Sequence, residues 1–231
     1  MGGLAATKRL ADSLSPAEGE SVLDVGSGFG GPARFLAATY GCQVVGIDLT
    51  PAYVEVAELL SQKTGLSERA TFVAGNALEL PFSAESFDHA WTQHVAMNIA
   101  NKERLYQEIY RVLRPGGRLA IYDVMRGEGE PVLYPVPWAA EPDLSFLITP
   151  VELTKILTGV GFHELSQADL TSEGVAWFAN AAASTPTTGN GTAFTIASIL
   201  GGDSSRSQAF RNIARNLAEG RTQLLQIIVQ K

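Results

Sequence analysis

Two rhythms of apolar residues alternate along the chain. Short runs with few polar interruptions, over 21–25, 43–47, 71–74, 86–91 and 118–124, predict five β-strands. Between them the apolar positions fall back to helical spacing. Leu4, Leu10, Ala11 and Leu14 predict a short amphipathic helix over 4–14, broken at Ser15-Pro16, and 32–40 predicts a second helix ended by Gly41. Tyr53, Val56, Ala57 and Leu60 sit at i, i+3, i+4 and i+7, which predicts a helix burying that face on a sheet and stopping at Gly65. Leu105, Ile109, Val112 and Leu113 do the same for 102–113, ahead of a turn at Pro115-Gly116-Gly117.

After the fifth strand the rhythm breaks. Residues 127–150 hold Pro131, Pro135, Pro137, Pro142 and Pro150 among Tyr134, Trp138 and Phe146, too long and too structured in composition for an ordinary loop. A helix carrying Leu153, Ile156, Leu157 and Val160 follows, then a strand near 164–168, with Trp177 and Phe178 read as core of the next helix. The tract 180–205, rich in Ala, Ser, Thr, Asn and Gly, predicts nothing definite. Phe210, Ile213, Ala214 and Leu217 mark a last helix closed by Gly220, and 222–229 a closing strand. Strands alternating with crossover helices imply an α/β fold: a doubly wound, mostly parallel Rossmann-like sheet with helices on both faces and a small cap inserted after strand five. The expectation is one domain over 1–231, with 127–150 as the cap over a substrate.

Composition narrows the function classes. Net charge is −7, from 17 basic and 24 acidic residues, and the basic ones are scattered, so the basic stripe of a nucleic-acid binder is missing. No apolar run reaches the ~18 residues of a membrane span, and no signal peptide is legible. Met1-Gly2 begins like a myristoylation site, but Ala6 stands where Ser or Thr is needed, and Asn190-Gly191-Thr192 is a glycosylation sequon by pattern only. Cys42 is the single cysteine, which excludes an internal disulfide and a multi-cysteine zinc site. A cytoplasmic enzyme with a small-molecule partner fits this balance; the oligomeric state stays open.

The chemistry concentrates where the first strand ends, in Val22-Leu23-Asp24-Val25-Gly26-Ser27-Gly28-Phe29-Gly30-Gly31 ahead of Pro32. An apolar run, a glycine-rich turn and a helix start make a pocket in which a ligand can lie against bare backbone. Gly26, Gly28 and Gly31 formally satisfy the dinucleotide fingerprint, a weak signal alone. Asp24 opposes it, because a carboxylate there repels a pyrophosphate yet suits an ammonium group, such as the one on the methionine end of S-adenosylmethionine. Asp48, closing the second strand, stands near the ~20-residue spacing at which an acid reaches ribose hydroxyls. NAD and S-adenosylmethionine both carry that ribose. Strand ends gather the remaining candidates, Asn76 and 92–94, at the edge where such sheets bind ligands.

Three motifs in order then carry a resemblance: Leu23-Asp24-Val25-Gly26-Ser27-Gly28; Gly75-Asn76-Ala77-Leu78-Glu79-Leu80-Pro81-Phe82 leading to Ser86-Phe87-Asp88; and Arg111-Val112-Leu113-Arg114-Pro115-Gly116-Gly117. The chain resembles a class I S-adenosylmethionine-dependent methyltransferase of the small-molecule type. It is similar to the type 11 branch that holds sarcosine/dimethylglycine, phosphoethanolamine and natural-product methyltransferases.

The resemblance implies that Asp24, Gly26, Ser27 and Gly28 hold the methionine portion and that Asp48 takes the ribose. It implies further that Leu49 lies on the adenine, that Asn76 with Ala77 recognises its amino group, and that Gln93 closes over the sulfonium. It implies transfer to an amine nitrogen first, or to oxygen or carbon second, without a metal. Nucleotide-dependent oxidoreduction and non-catalytic binding of the cofactor are the rivals. His94, just past strand four, is the best-placed base, with a structural hydrogen bond as its alternative role, while His89 and His163 read as structural. Tyr134, Trp138 and Phe146 could wall a cationic amine, though packing of the cap is the plainer role for Phe146, and Arg34 could meet a substrate carboxylate. Two departures stand out. Asn98 occupies the position of a catalytic His in phosphoethanolamine enzymes, and the chain begins where the last part of the branch's N-terminal lid would sit.

Overall fold

The computed structural model describes residues 1–183 and 204–231. Its centre is a seven-stranded sheet built from β1 (Ser21–Val25), β2 (Gln43–Asp48), β3 (Ala70–Ala74), β4 (Phe87–Gln93), β5 (Leu113–Arg126), β6 (His163–Asp169) and β7 (Thr222–Gln230). The order across the sheet is β3-β2-β1-β4-β5-β7-β6. The five strands from β3 to β5 run parallel, and β7 enters antiparallel to both β5 and β6. Order reverses between β1 and β4, so the switch point lies at the carboxyl ends of those two strands.

Helices cover both faces. On one lie α1 (Gly3–Leu14), α2 (Gly31–Tyr40), α3 (Pro51–Lys63), α6 (Thr171–Ala183) and α7 (Ser204–Ala218); on the other lie α4 (Lys102–Val112) and α5 (Pro150–Val160). Strand alternation divides the core accordingly. Val22, Trp91 and Tyr122 face α1 and α2, while Leu23, Ala90 and Ile121 face α4. Local signals set the ends: Thr149 and Glu152 form a capping box at α5, and Gly161 closes it in the left-handed region.

Most predicted elements are in place within a residue or two, and three expectations change. The helix α3 buries Val54, Ala57 and Ser61, and leaves Tyr53, Val56, Leu59 and Leu60 partly in solvent. Pro115-Gly116-Gly117 lies inside β5, where the register to β4 jumps from Leu113 to Arg118. Trp177 is over a third exposed, stacked edge-on to Phe178 rather than buried in a core. Of the uninformative tract 180–205, residues 184–203 and the sequon lie outside the described residues.

The segment after β5, expected over 127–150 as a cap, is tied down by polar anchors. Asn216 of α7 grips Leu133 through both its amide and its carbonyl, and Asn212 donates to Pro135 O. Among the described residues no helix is long and apolar enough to cross a membrane, and no group of three His, Cys, Asp or Glu could hold a metal ion.

Candidate cofactor and acceptor site

The glycine turn leaves β1 at the switch point and is stitched to β2. Gly26 and Ser27 donate to Ile47 O at 2.8 and 3.0 Å, and Gly30 donates back to Ser27 O at 2.8 Å. Gly26 has φ +74°, and a Cβ there would meet Val95 Cγ2 at 2.5 Å, so only glycine lets the loop after β4 close on this turn. Ser27 Oγ is tucked beneath the turn against Gly46 and lacks a partner, which leaves the Ser27 backbone, not its hydroxyl, on the ligand side.

Asp24 is the informative side chain. It is 2% exposed, accepts from Ala33 N–H at the start of α2, and its Oδ2 has no partner. Burial, and then the nearby Asp48 carboxylate, push its pKa up to about 7. Trp91, its register partner on β4, carries an equally unpartnered buried Nε1. Buried polar atoms without partners are uncommon. An unpaired carboxylate oxygen beside a glycine turn fits the ammonium of an adenosyl amino acid and rejects a diphosphate.

Asp48 is held by two backbone donors: Gly28 N–H to Oδ2 at 2.8 Å and Thr50 N–H to Oδ1 at 2.9 Å. Each carboxylate oxygen keeps a free lone-pair direction for a ribose hydroxyl. Beside it Leu49 is 73% exposed, an apolar side chain with nothing on it, while Phe29 and Tyr53 stack edge-on at 4.7 Å across the rim. Asn76 is exposed, and its Oδ1 already accepts from Leu78 N–H at 2.9 Å, so one lone pair remains for an adenine amino group. Ala77 packs partly into the core beside it. These residues stand together at the ends of β1, β2 and β3. They fit the cofactor's three parts.

Gln93 and His94 close β4. Gln93 Oε1 accepts from Thr7 of α1 at 3.2 Å. His94 has φ +60°, a strained value for a residue with a Cβ, and its N–H donates to Tyr122 O at 2.9 Å. Its ring rests on Tyr122, Nε2 lies 2.7 Å from the backbone nitrogen of Met1, and Nδ1 is buried without a partner. Burial, and then the neighbouring Met1 amine, hold its pKa well below the ordinary histidine value, so the imidazole is neutral at pH 7.

Other candidates stand apart. Trp138 packs on the α1 side with Nε1 on Ser145, Phe146 lines a small cavity on the α4 side, and Tyr134 is fixed by the Asn216 and Asn212 anchors of its neighbours. Among the described residues no ring stacking joins these three. Arg34 turns inward, donating to Ala57 O at 3.3 Å, and His89 bonds Glu20 at the far end of the sheet. Sequence reasoning missed Val95, Thr7 and the Phe29–Tyr53 pair. Only the last left a signal, two aromatics beside the glycine turn and the Asp48 strand end.

The family model described as a methyltransferase domain matches residues 23–121. A 24-methylenesterol C-methyltransferase 2 of Oryza sativa subsp. japonica is 35% identical over 169 residues, covering 71% of this chain and 47% of that one. A probable chloroplastic tocopherol O-methyltransferase from the same plant is 40% identical over 102 residues, 44% of this chain and 28% of that one. The chain thus spans about half or less of the length of these relatives. Among solved structures, a phosphoethanolamine N-methyltransferase 2 of Haemonchus contortus, in complex with phosphomonomethylethanolamine and S-adenosylhomocysteine, superposes with TM-score 0.82 at 21% identity. That match covers all of this chain and 53% of that one. Nothing among these supports the oxidoreductase reading of Gly26, Gly28 and Gly31. The ordered motifs, the sheet and the unpaired Asp24 agree with the comparisons: residues 23–121 match the family described as a methyltransferase domain.

Proposed function

We propose that the chain methylates carbon or oxygen of an apolar small molecule, with His94 taking the proton that the acceptor loses. The observation that carries this is His94 itself, a neutral imidazole held in a strained backbone at the end of β4. A methyl joined to a phenol oxygen or an alkene carbon leaves a proton to be removed, which a neutral imidazole can accept. An amine that arrives unprotonated needs less help from a base. The sterol C- and tocopherol O-methyltransferase relatives point the same way.

When bound, S-adenosylmethionine supplies a methyl on a sulfonium with a neutral thioether as leaving group, so positioning accounts for much of the rate. Asp24 would take the ammonium, the Gly26–Gly28 backbone the methionine carboxylate end, Asp48 the ribose, and Leu49, Asn76 and Ala77 the adenine. Gln93, fixed by Thr7, would stand beside the methyl.

The test is incubation with S-adenosylmethionine and a panel of sterols, isoprenoid alkenes, phenols, quinols and amines, followed by mass spectrometry. A methyl gain on alkenes or phenols is expected. A gain confined to amines would overturn the acceptor assignment, and cofactor binding without any gain would favour a non-catalytic binder. Thermal shift separates the dinucleotide rival: S-adenosylhomocysteine at ~100 times its dissociation constant should add ~2.7 kcal/mol of stability, and NADH nothing.

Cofactor affinity should also depend on pH. Asp24 is half protonated at about pH 7 in the free protein and must be ionised to meet an ammonium. Binding therefore releases a proton below that pH, and affinity should fall about tenfold per pH unit as pH drops below 7, with a plateau above. Calorimetry across this range checks it, and Asp24→Asn should bind weakly with no slope. A flat profile in the unaltered chain would remove Asp24 from the ammonium site.

A further inference from the structure

The segment between β4 and α4 touches every part of the site at once. His94 starts it, Val95 sits over Gly26 of the cofactor turn, and Met97 O accepts Phe146 N–H from the cap at 2.9 Å. Beneath it lie two buried ionisable side chains that the chemistry above does not use. Asp123, near the carboxyl end of β5, accepts from Ala96 N–H at 2.7 Å and from the Val95 and Val124 amides. Lys102, at the first turn of α4, donates to Ala96 O at 2.8 Å and to Ile99 O at 2.7 Å. The residue Ala96 is thus held at its N–H by an acid and at its C=O by a base.

We propose that Asp123 and Lys102 are positioning residues, a charged clamp that fixes segment 94–99 so that His94 faces the acceptor while Val95 stays seated on the cofactor turn. This deepens the proposed function and rests on it for the role of His94. Burying two opposite charges adds little stability over apolar packing of the same volume, so their presence here is not explained by folding alone. What they supply is direction. Hydrogen bonds from charged groups are short and about twice as strong as neutral ones, and four of them here converge on a six-residue segment. Both groups feel their burial: it raises Asp123 to about 6 and lowers Lys102 to about 8. The titratable groups acting on Asp123 are Lys102 and Tyr106 of α4 and the Met1 amine, while the cap and α5 present only Phe146, Leu147, Ile148 and Leu153 there.

The variant Lys102→Met keeps the aliphatic stem and removes both donors. Hydrogen exchange on the cofactor-free chain should show protection of the 95–99 amides falling about tenfold or more, with β1 and β5 unchanged, and Lys102→Arg should restore it. Methyl transfer should lose about tenfold in kcat while the cofactor dissociation constant moves less than about threefold. A uniform loss of protection across the sheet, or none, would overturn the clamp. Should Lys102→Met fail to fold, the unaltered chain decides. After correction for intrinsic exchange, protection of the Val95 and Ala96 amides should fall as pH drops through about 6, because a protonated carboxyl is the weaker acceptor. A flat profile would again overturn it. Exchange needs no acceptor molecule, so the clamp can stand even if the acceptor assignment fails. Methyl transfer untouched in a Lys102→Met chain with a loosened segment would reject the positioning role while leaving that assignment intact.

Discussion

Asp48→Ala is expected to weaken S-adenosylmethionine binding by at least about a hundredfold, because two hydroxyl bonds to a charged acceptor are lost at ~1.5 kcal/mol or more each. The carboxylate has a second task that enlarges the effect. It receives the Gly28 and Thr50 amides at 2.8 and 2.9 Å, so its removal frees the glycine turn as well as the ribose contacts. Those two amides can turn to water, because Thr50 is exposed and the turn lies at the sheet's rim. The fold should therefore survive, with a melting temperature lowered by only a few degrees, in line with ~1 kcal/mol of lost hydrogen bonding. Calorimetric titration with S-adenosylhomocysteine, alongside a thermal melt, gives both numbers. Unchanged affinity would take Asp48 out of the ribose site, and collapse of the fold would make it a structural acid first.

Why some of this was legible and some was not follows from what periodicity measures. Strand runs and the Asp24-to-Gly31 turn are local in sequence, and the turn's chemistry is mostly backbone, so spacing alone points to it. The switch point follows once five strands alternate with helices. By contrast, α3 shows the limit. Tyr53, Val56, Ala57 and Leu60 have the right period, but so do Val54, Ala57 and Ser61, and spacing does not say which of these overlapping stripes faces the sheet. The smaller set faces the sheet, with α3 lying over β2 and β3 and Arg34 reaching the Ala57 carbonyl. The larger set, apart from the shared Ala57, is left at the rim of the pocket, where Tyr53 meets Phe29. The aromatics of 127–149 pose a related problem. Composition placed Tyr134, Trp138 and Phe146 in one segment, and a segment that crosses the end of a sheet can send its side chains to either face. Asp123 and Lys102 did leave a trace, an acid inside Leu119-Ala120-Ile121-Tyr122-Asp123-Val124-Met125 and a lysine directly after the Asn101 cap. Neither gains meaning until the loop between them is seen.

His94→Asn should lower kcat for a carbon or oxygen acceptor by roughly a hundredfold to ten-thousandfold, the usual range for a general base, with cofactor affinity held within about threefold. Asparagine is the right substitution because the backbone at 94 sits at φ +60°, which asparagine tolerates far better than alanine does. An alanine variant would mix lost chemistry with backbone strain. The pH profile adds an independent reading. The active form of His94 is the neutral ring, and burial keeps its pKa well below 6.5. At saturating cofactor the rate should therefore hold as pH falls to about 6, where Asp123 begins to protonate, and the further limb that belongs to His94 should lie lower and be missing from the variant. Within the chain, Met1's backbone nitrogen lies 2.7 Å from Nε2, so an acceptor that uses this nitrogen must displace that contact. A kcat that survives His94→Asn, or falls equally with an amine acceptor, would make the histidine a strut between Tyr122 and Met1 and return nitrogen to the head of the acceptor ranking.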